Sequence, residues 1–230
     1  MCTAPDAVML FAAGFGTRMG ALTADRPKPL IRVAGRALLD HALEMAEGAG
    51  AAPIVVNAHY KASQIAAHLA GRDAAISHEA PDILDTGGGL RAALPMLKAS
   101  AICTMNTDAV WRGANALSLL RDAWRPDVMD ALLLCVPLAR AVGHKGQGDF
   151  TLGADGRLTR GGGLIYSGAQ IIKASALEDM PPGAFSLNLV WDRLLAAGRL
   201  HGCIYPGTWC DVGHPAGIAL AEEMLGAPDV

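Results

Sequence analysis

Apolar residues recur along the chain in two rhythms, short unbroken runs and helical spacing, and the two rhythms alternate. Ala7 to Ala12 is an apolar run that ends in glycines, which predicts a buried strand and a tight loop. Leu38, Leu39, Ala42, Leu43 and Ala46 then recur with helical spacing, while Asp40, His41, Glu44 and Glu47 fall on the opposite face. The same reading predicts strands over 53–57, 74–78 and 101–105 and helices over 62–70 and 90–97, an alternation that implies a parallel sheet covered by helices. After a helix over 114–124 and a strong strand over 131–137, the pattern changes to short strands with turn signals. Ala154-Asp155-Gly156 is a hairpin turn, 165–172 a further strand, and 187–197 and 216–225 are helices. The triple glycines Gly87 to Gly89 and Gly161 to Gly163 lie in dissimilar surroundings and mark no duplication.

The chain therefore reads as a single-domain, Rossmann-like α/β unit: a mostly parallel mixed sheet flanked by helices, with a nucleotide-binding half at about 1–125 and a smaller β subregion in the second half, about 126–230. Its 230 residues suffice for one such domain with a large core. Hydrophobic residues make up 52% of the chain, yet no run approaches the roughly 20 apolar residues that a membrane helix needs, so no membrane partner is expected. The first residues, Met1-Cys2-Thr3-Ala4-Pro5-Asp6, lack the basic and then apolar plan of a secretory signal. Cys2, Cys103, Cys135, Cys203 and Cys210 are odd in number and scattered without CxxC spacing, which fits free thiols in a reducing, cytoplasmic compartment. A net charge of −3 gives no global attraction for nucleic acid, so any phosphate binding must come from locally placed cations.

Ala12-Ala13-Gly14-Phe15-Gly16-Thr17-Arg18 places glycines where a backbone must turn sharply and point N–H groups at an anion, with Arg18 as a cation beside them. A dinucleotide-binding loop is the rival, but it requires an acidic residue at the end of the second strand, and that strand ends in Asn57. Arg26-Pro27-Lys28-Pro29-Leu30 then holds a lysine between two prolines, an extended, stiff strut that lowers the entropy lost when Lys28 engages a ligand. A lone Pro-Lys-Pro is more often an ordinary loop; the glycine loop just upstream changes that balance.

Together, Leu10 to Leu30 resembles the signature of the nucleotidyltransferases that make nucleoside-diphosphate sugars. The resemblance implies that Ala12, Ala13, Gly14, Gly16 and Thr17 wrap a nucleoside triphosphate, that Arg18 stabilises the leaving pyrophosphate, and that Lys28 contacts the phosphates. It also implies an Mg²⁺ cofactor and a sugar 1-phosphate as second substrate.

Asn106-Thr107-Asp108 follows the strand over 101–105, at the carboxyl end of a parallel strand where open α/β sheets hold their ligands. Trp209-Cys210-Asp211-Val212-Gly213 supplies a second carboxylate near the end of another short strand. Two carboxylates with triphosphate oxygens and water suit Mg²⁺, although Asp after a strand more commonly caps a turn. Both segments resemble the family's metal motifs, which makes Asp108 and Asp211 the metal ligands, Asp108 a catalytic residue with Arg18 and Lys28, and Asn106 a nucleotide contact. Thr107 departs from the family, which commonly has glycine there; a β-branched residue cannot adopt positive φ cheaply, so a displaced Asp108 and a weakened enzyme, or a nucleotide-sugar-binding regulatory subunit, stays open.

Asp85, Thr86 and Gly87 precede a predicted helix and could present hydrogen-bonding groups to a base edge, as the family's equivalent loop does; local capping by Asp85 or Thr86 is equally supported. In the second half, Asp149 in the segment over 143–150, with Ser167 and Gly168, is expected to meet the sugar. These segments are most similar to the uridylyltransferases that act on N-acetylmuramate 1-phosphate, which implies UTP as the donor; mannose-1-phosphate guanylyltransferases are the alternative. Cys210 reads as a packing residue, since a thiolate nucleophile would need a base and no histidine partner is evident.

Overall fold

In the computed structural model, which describes residues 5–227, the first apolar run becomes strand β1 (Val8–Phe11). Cys2, expected to be a free thiol, lies outside the described residues. A two-stranded ribbon, β2 (Arg32–Val33) and β3 (Arg36–Ala37), leads into helix α1 (Leu38–Gly48). Next come β4 (Ile54–Ala58), α2 (Ala62–Leu69), β5 (Ala75–His78), α3 (Asp85–Leu97) and β6 (Ala101–Asn106). They are followed by β7 (Ala109–Arg112), α4 (Ala116–Ala123), β8 (Ala131–Pro137), β9 (Ala141–Val142), β10 (Phe150–Leu152), β11 (Leu158–Arg160) and β12 (Leu164–Lys173). Helix α5 (Leu187–Ala196), β13 (Leu200–Ile204), β14 (Thr208–Asp211) and α6 (Ala216–Gly226) complete the described chain.

The central sheet is mixed: β6, β1, β4 and β5 pair in parallel, and β12 runs antiparallel between β6 and β8. All of its strands except β11 and β12 point the same way. Because β12 joins a strand of the first half to one of the second, both halves share one sheet. Side chains alternate across it as strand periodicity requires. Val8 and Leu10 face the core under α1 and α4 with Leu39, Leu43, Leu117 and Leu120, whereas Met9 faces the core under α3 and α5 with Leu90, Leu97, Val190 and Trp191. A third, smaller core gathers Met19, Leu38, Val110, Cys210, Val212 and Ala221 beneath a separate three-stranded sheet, β7-β14-β9.

The structure differs from the sequence reading in two informative places. Helix α3 starts at Asp85, so Gly87, Gly88 and Gly89 lie inside a helix that the pattern placed only over 90–97. Close approach explains the glycines, which are poor helix formers. A Cβ on Gly87 would lie 2.3 Å from the Phe185 ring, one on Gly88 2.7 Å from the Gly183 carbonyl oxygen, and one on Gly89 2.4 Å from Glu79 Oε1. Gly89→Ala should therefore destabilise the protein by about 1–3 kcal/mol, the cost of overpacking, in urea denaturation; a neutral result would refute this packing account. Lys28, expected in an extended strut, instead opens a 3₁₀ turn (Lys28–Leu30) closed by Leu30 N–H to Pro27 O at 2.9 Å and Ile31 N–H to Lys28 O at 3.0 Å. Pro29 fits such a turn because its missing N–H is not needed there.

Candidate functional site

The loop after β1 crosses the carboxyl end of the parallel strands and enters a 3₁₀ segment over Thr17–Thr23. Gly16 takes φ 65°, and a Cβ there would also lie 2.8 Å from Lys28 Cβ, so both conformation and contact demand glycine. The Ala12 N–H donates to Asn57 Oδ1 at 2.6 Å. The N–H groups of Ala13, Gly14, Phe15 and Gly16 donate to no acceptor among the described residues. Four consecutive N–H groups are thus left free, the kind of donor set that an anion-binding nest uses. Arg18 lies beside it, exposed and without a hydrogen bond or ion pair among the described residues.

Pairing of β7 with β14 places Asp211 opposite Ala109, and the Val212 N–H donates to the Asp108 carbonyl at 2.8 Å. Two carboxylates far apart in sequence thus become neighbours. The Lys28 ammonium donates to Asp108 Oδ2 at 2.8 Å. Burial and the adjacent Asp108 charge raise the Asp211 carboxyl above the usual range, against the opposing pull of Lys28, Arg18 and His144. A Cβ on Gly213 would touch both Asp211 Oδ2, at 2.8 Å, and Arg18 Nη1, at 3.0 Å, so the arginine and the second carboxylate flank one point.

Thr107 is buried, has no positive φ, and donates its hydroxyl to the Phe11 carbonyl oxygen at 2.7 Å. The threonine therefore ties β6 to the end of β1 and does not strain the backbone before Asp108. Thr107→Gly should lower stability by about 1.5–3 kcal/mol, from a lost hydrogen bond plus backbone entropy, with turnover flat or reduced. A gain in turnover would show that threonine compresses the site. Neighbouring Cys210 is buried and its thiol is pushed up to about 11 by burial and by Asp211, in keeping with a packing residue.

A cleft of about 300 Å³ brings together Ala12, Ala13, Gly14, Gly16, Thr17, Arg18, Lys28, Asp85, Thr86, Asn106 and Asp108. Gly87 lies outside it: its N–H, like that of Gly88, donates to the Phe185 carbonyl. The Thr86 N–H is taken by Asp85 Oδ1 at 2.6 Å and Thr86 Oγ1 accepts from the Leu187 N–H at 3.0 Å, so neither side chain caps helix α3. A second cavity of about 280 Å³ continues from Asp85, Thr86 and Asn106 to Asp149, Arg160, Tyr166, Asn188 and Trp191. Asp149 lines it, whereas Ser167 and Gly168 do not. Ser167 is buried with its hydroxyl donating to the Leu134 carbonyl, and Gly168, at φ 87°, backs the Asn106 side chain. Both sit where β12 shifts register against β8.

Sequence reasoning missed Asn57 and Glu79, which line the first cleft, and Arg160, Asn188 and Trp191, which line the second. A polar residue ending an otherwise apolar strand was the one available signal for Asn57. The others meet only through the topology.

Comparison with known proteins gives a consistent picture. Residues 8–219 match the MobA-like NTP transferase domain family. The chain is 39% identical to N-acetylmuramate alpha-1-phosphate uridylyltransferase of Caulobacter vibrioides over 98% of this chain and 99% of that one. It is 30% identical to the enzyme of that name from Neisseria meningitidis serogroup B, over 95% of this chain and 98% of that one. Its fold is similar to that of the inositol-1-phosphate CTP transferase from T. maritima, with a TM-score of 0.76, 14% identity and 99% of both chains covered.

Proposed function

The chain belongs to the MobA-like NTP transferase domain family, and from that premise we propose that it joins UTP to N-acetylmuramate 1-phosphate, giving UDP-N-acetylmuramate and pyrophosphate. The observation that carries this reading is the continuous path from the free N–H groups of the loop, past Lys28 and Asp108, into the second cavity through Asn106. A sugar-phosphate oxygen attacks the α-phosphorus, the bond from that phosphorus to the oxygen bridging the β-phosphate breaks, and pyrophosphate leaves with that oxygen. The nest, Arg18 and Lys28 offset charge on the departing phosphates, and the cleft orients both substrates. Asp85, Thr86 and Asn106 serve the nucleoside, and Asp149 accepts hydroxyl hydrogens of the sugar.

Asp108 and Asp211 fit a divalent cation, with Mg²⁺ the expected ion. Asp108 lines the cleft and Asp211 lies beside it through the β7–β14 pairing, and two carboxylates would leave the remaining coordination to substrate oxygens and water, which suits Mg²⁺. When bound, the ion supplies charge neutralisation on the phosphates. Consumption of a nucleoside triphosphate and the four unpaired thiols at Cys103, Cys135, Cys203 and Cys210 support a cytoplasmic setting.

A matrix of nucleoside triphosphates against sugar 1-phosphates, read by pyrophosphate release with and without Mg²⁺, tests the reading. The expected maximum is UTP with N-acetylmuramate 1-phosphate. A maximum at GTP with mannose 1-phosphate, or no turnover with any pair, would overturn it.

A further inference from the structure

Asn57 and Glu79 are almost wholly buried, at 3% and 1% exposed, yet both border the nucleotide cleft. Their side chains form a short relay. The Ala12 N–H donates to Asn57 Oδ1 at 2.6 Å, Asn57 Nδ2 donates to Glu79 Oε1 at 2.6 Å, and the Leu84 N–H donates to Glu79 Oε2 at 2.7 Å. One end thus holds the first residue of the phosphate loop, and the other holds the residue before Asp85 and Thr86. A second thread leaves the same glutamate: its carbonyl oxygen is 2.9 Å from His59 Nδ1, and the His59 ring stands edge-on to Phe15 of the loop, with centroids 5.5 Å apart.

Glu79 has no cationic partner among the described residues. A buried carboxylate held only by neutral donors is an expensive way to fill space. What it offers is two acceptor oxygens for two donors that face it from different elements. Gln cannot substitute, because its amide group would confront either Asn57 Nδ2 or the Leu84 N–H, donor against donor. Gly89 keeps this junction tight, since a Cβ there would strike Glu79 Oε1 and lie 3.0 Å from Asn57 Nδ2.

We propose that Asn57 and Glu79 are positioning residues that couple the nucleoside-side turn at Leu84 to the phosphate loop, so that the loop's free N–H groups are aligned for phosphates only while the relay is intact. The proposal rests on the reading of the loop as a triphosphate site.

The test uses inorganic tripolyphosphate with Mg²⁺, a probe that has no base to recognise. Its affinity is measured by titration calorimetry on the wild-type chain, Glu79→Gln, Asn57→Ala and the double variant, with UTP in parallel and thermal melts as the control for folding. Each single change is expected to weaken tripolyphosphate binding about five- to tenfold, the scale of a lost hydrogen bond. The double variant should be no weaker than Asn57→Ala alone, because members of one relay are not additive. Electrostatics alone predicts the opposite sign for Glu79→Gln, since it removes a negative charge from an anion site. Tripolyphosphate binding unchanged or tightened in Glu79→Gln, with only UTP weakened, would make Glu79 a base contact and overturn the relay. Shifts in melting temperature alone, or losses that multiply in the double variant, would overturn it too. Failure of the wild-type chain to bind tripolyphosphate would remove the triphosphate reading and the relay with it, whereas tight wild-type binding with unaffected variants would remove the relay alone.

Discussion

Asp108→Asn is expected to lower kcat by about a thousandfold or more, since removing a cation ligand forfeits several kcal/mol of charge stabilisation and each ~1.4 kcal/mol is tenfold in rate. The fold should survive. Asparagine keeps the size of the side chain and can still accept from Lys28, whose ammonium lies 2.8 Å from the Asp108 carboxylate. The change also removes one of the two causes that hold the Asp211 carboxyl above its ordinary range. A carboxyl raised in the folded state contributes stability below its unfolded value, about 3.8, and loses that contribution as pH rises through the raised value. Without added Mg²⁺, this relief of Asp211 opposes the weakening of the Lys28 ion pair, so the melting temperature should change little at neutral pH. Collapse of turnover without loss of stability is the signature of a functional carboxylate. Near-normal, Mg²⁺-dependent turnover would remove Asp108 from the metal assignment.

Lys28→Met should lower kcat/KM for the triphosphate by roughly 10- to 150-fold, the equivalent of a charged hydrogen bond worth about 1.5–3 kcal/mol. The structure adds a second consequence. Lys28 is buried and pairs with Asp108, so its loss leaves the Asp108 carboxylate without its ion-pair partner and removes one of the cations that offset Asp211. Melting temperature should fall with turnover, and Asp108→Asn in the same chain should recover part of the stability but none of the rate. Paired steady-state kinetics and thermal melts check this. A fall in melting temperature with kcat/KM intact would make Lys28 a structural lysine.

Much of the fold was legible because local rhythm and packing agree. The strand predicted over 131–137 is β8 (Ala131–Pro137), and the helices predicted from Leu38 and over 216–225 are α1 and α6 within a few residues. Failures came where tertiary contact overrides propensity. Three successive glycines argue against a helix, yet α3 begins through them because Phe185, Gly183 and Glu79 leave no room for side chains. Strands β7 and β13 were missed; β7 draws its partner from β14, far along the chain. The loop after β1 was readable as glycines beside an arginine, and Asp108 as a carboxylate at a strand end. Ser167 and Gly168 were expected to meet the sugar, but their direction was not legible: where β12 shifts register, the Ser167 hydroxyl donates to the Leu134 carbonyl and neither residue lines the second cavity. Asn57 carries one signal, a polar residue ending an apolar strand, whereas Glu79 carries none until β4 and β5 lie side by side.

The pairing of β7 with β14 also has a bearing on biosynthesis. A nascent polypeptide that has already exposed the glycine loop, Lys28 and Asp108 has yet to make Asp211, which arrives only when β14 adds to the edge of β7. Such non-local pairing forms slowly compared with helices. On the proposed assignment, the growing chain can gather phosphate-binding groups early but gains its second carboxylate only after the intervening strands β8 to β13 have been synthesised. Competence to spend a nucleoside triphosphate is thereby withheld from unfinished chains.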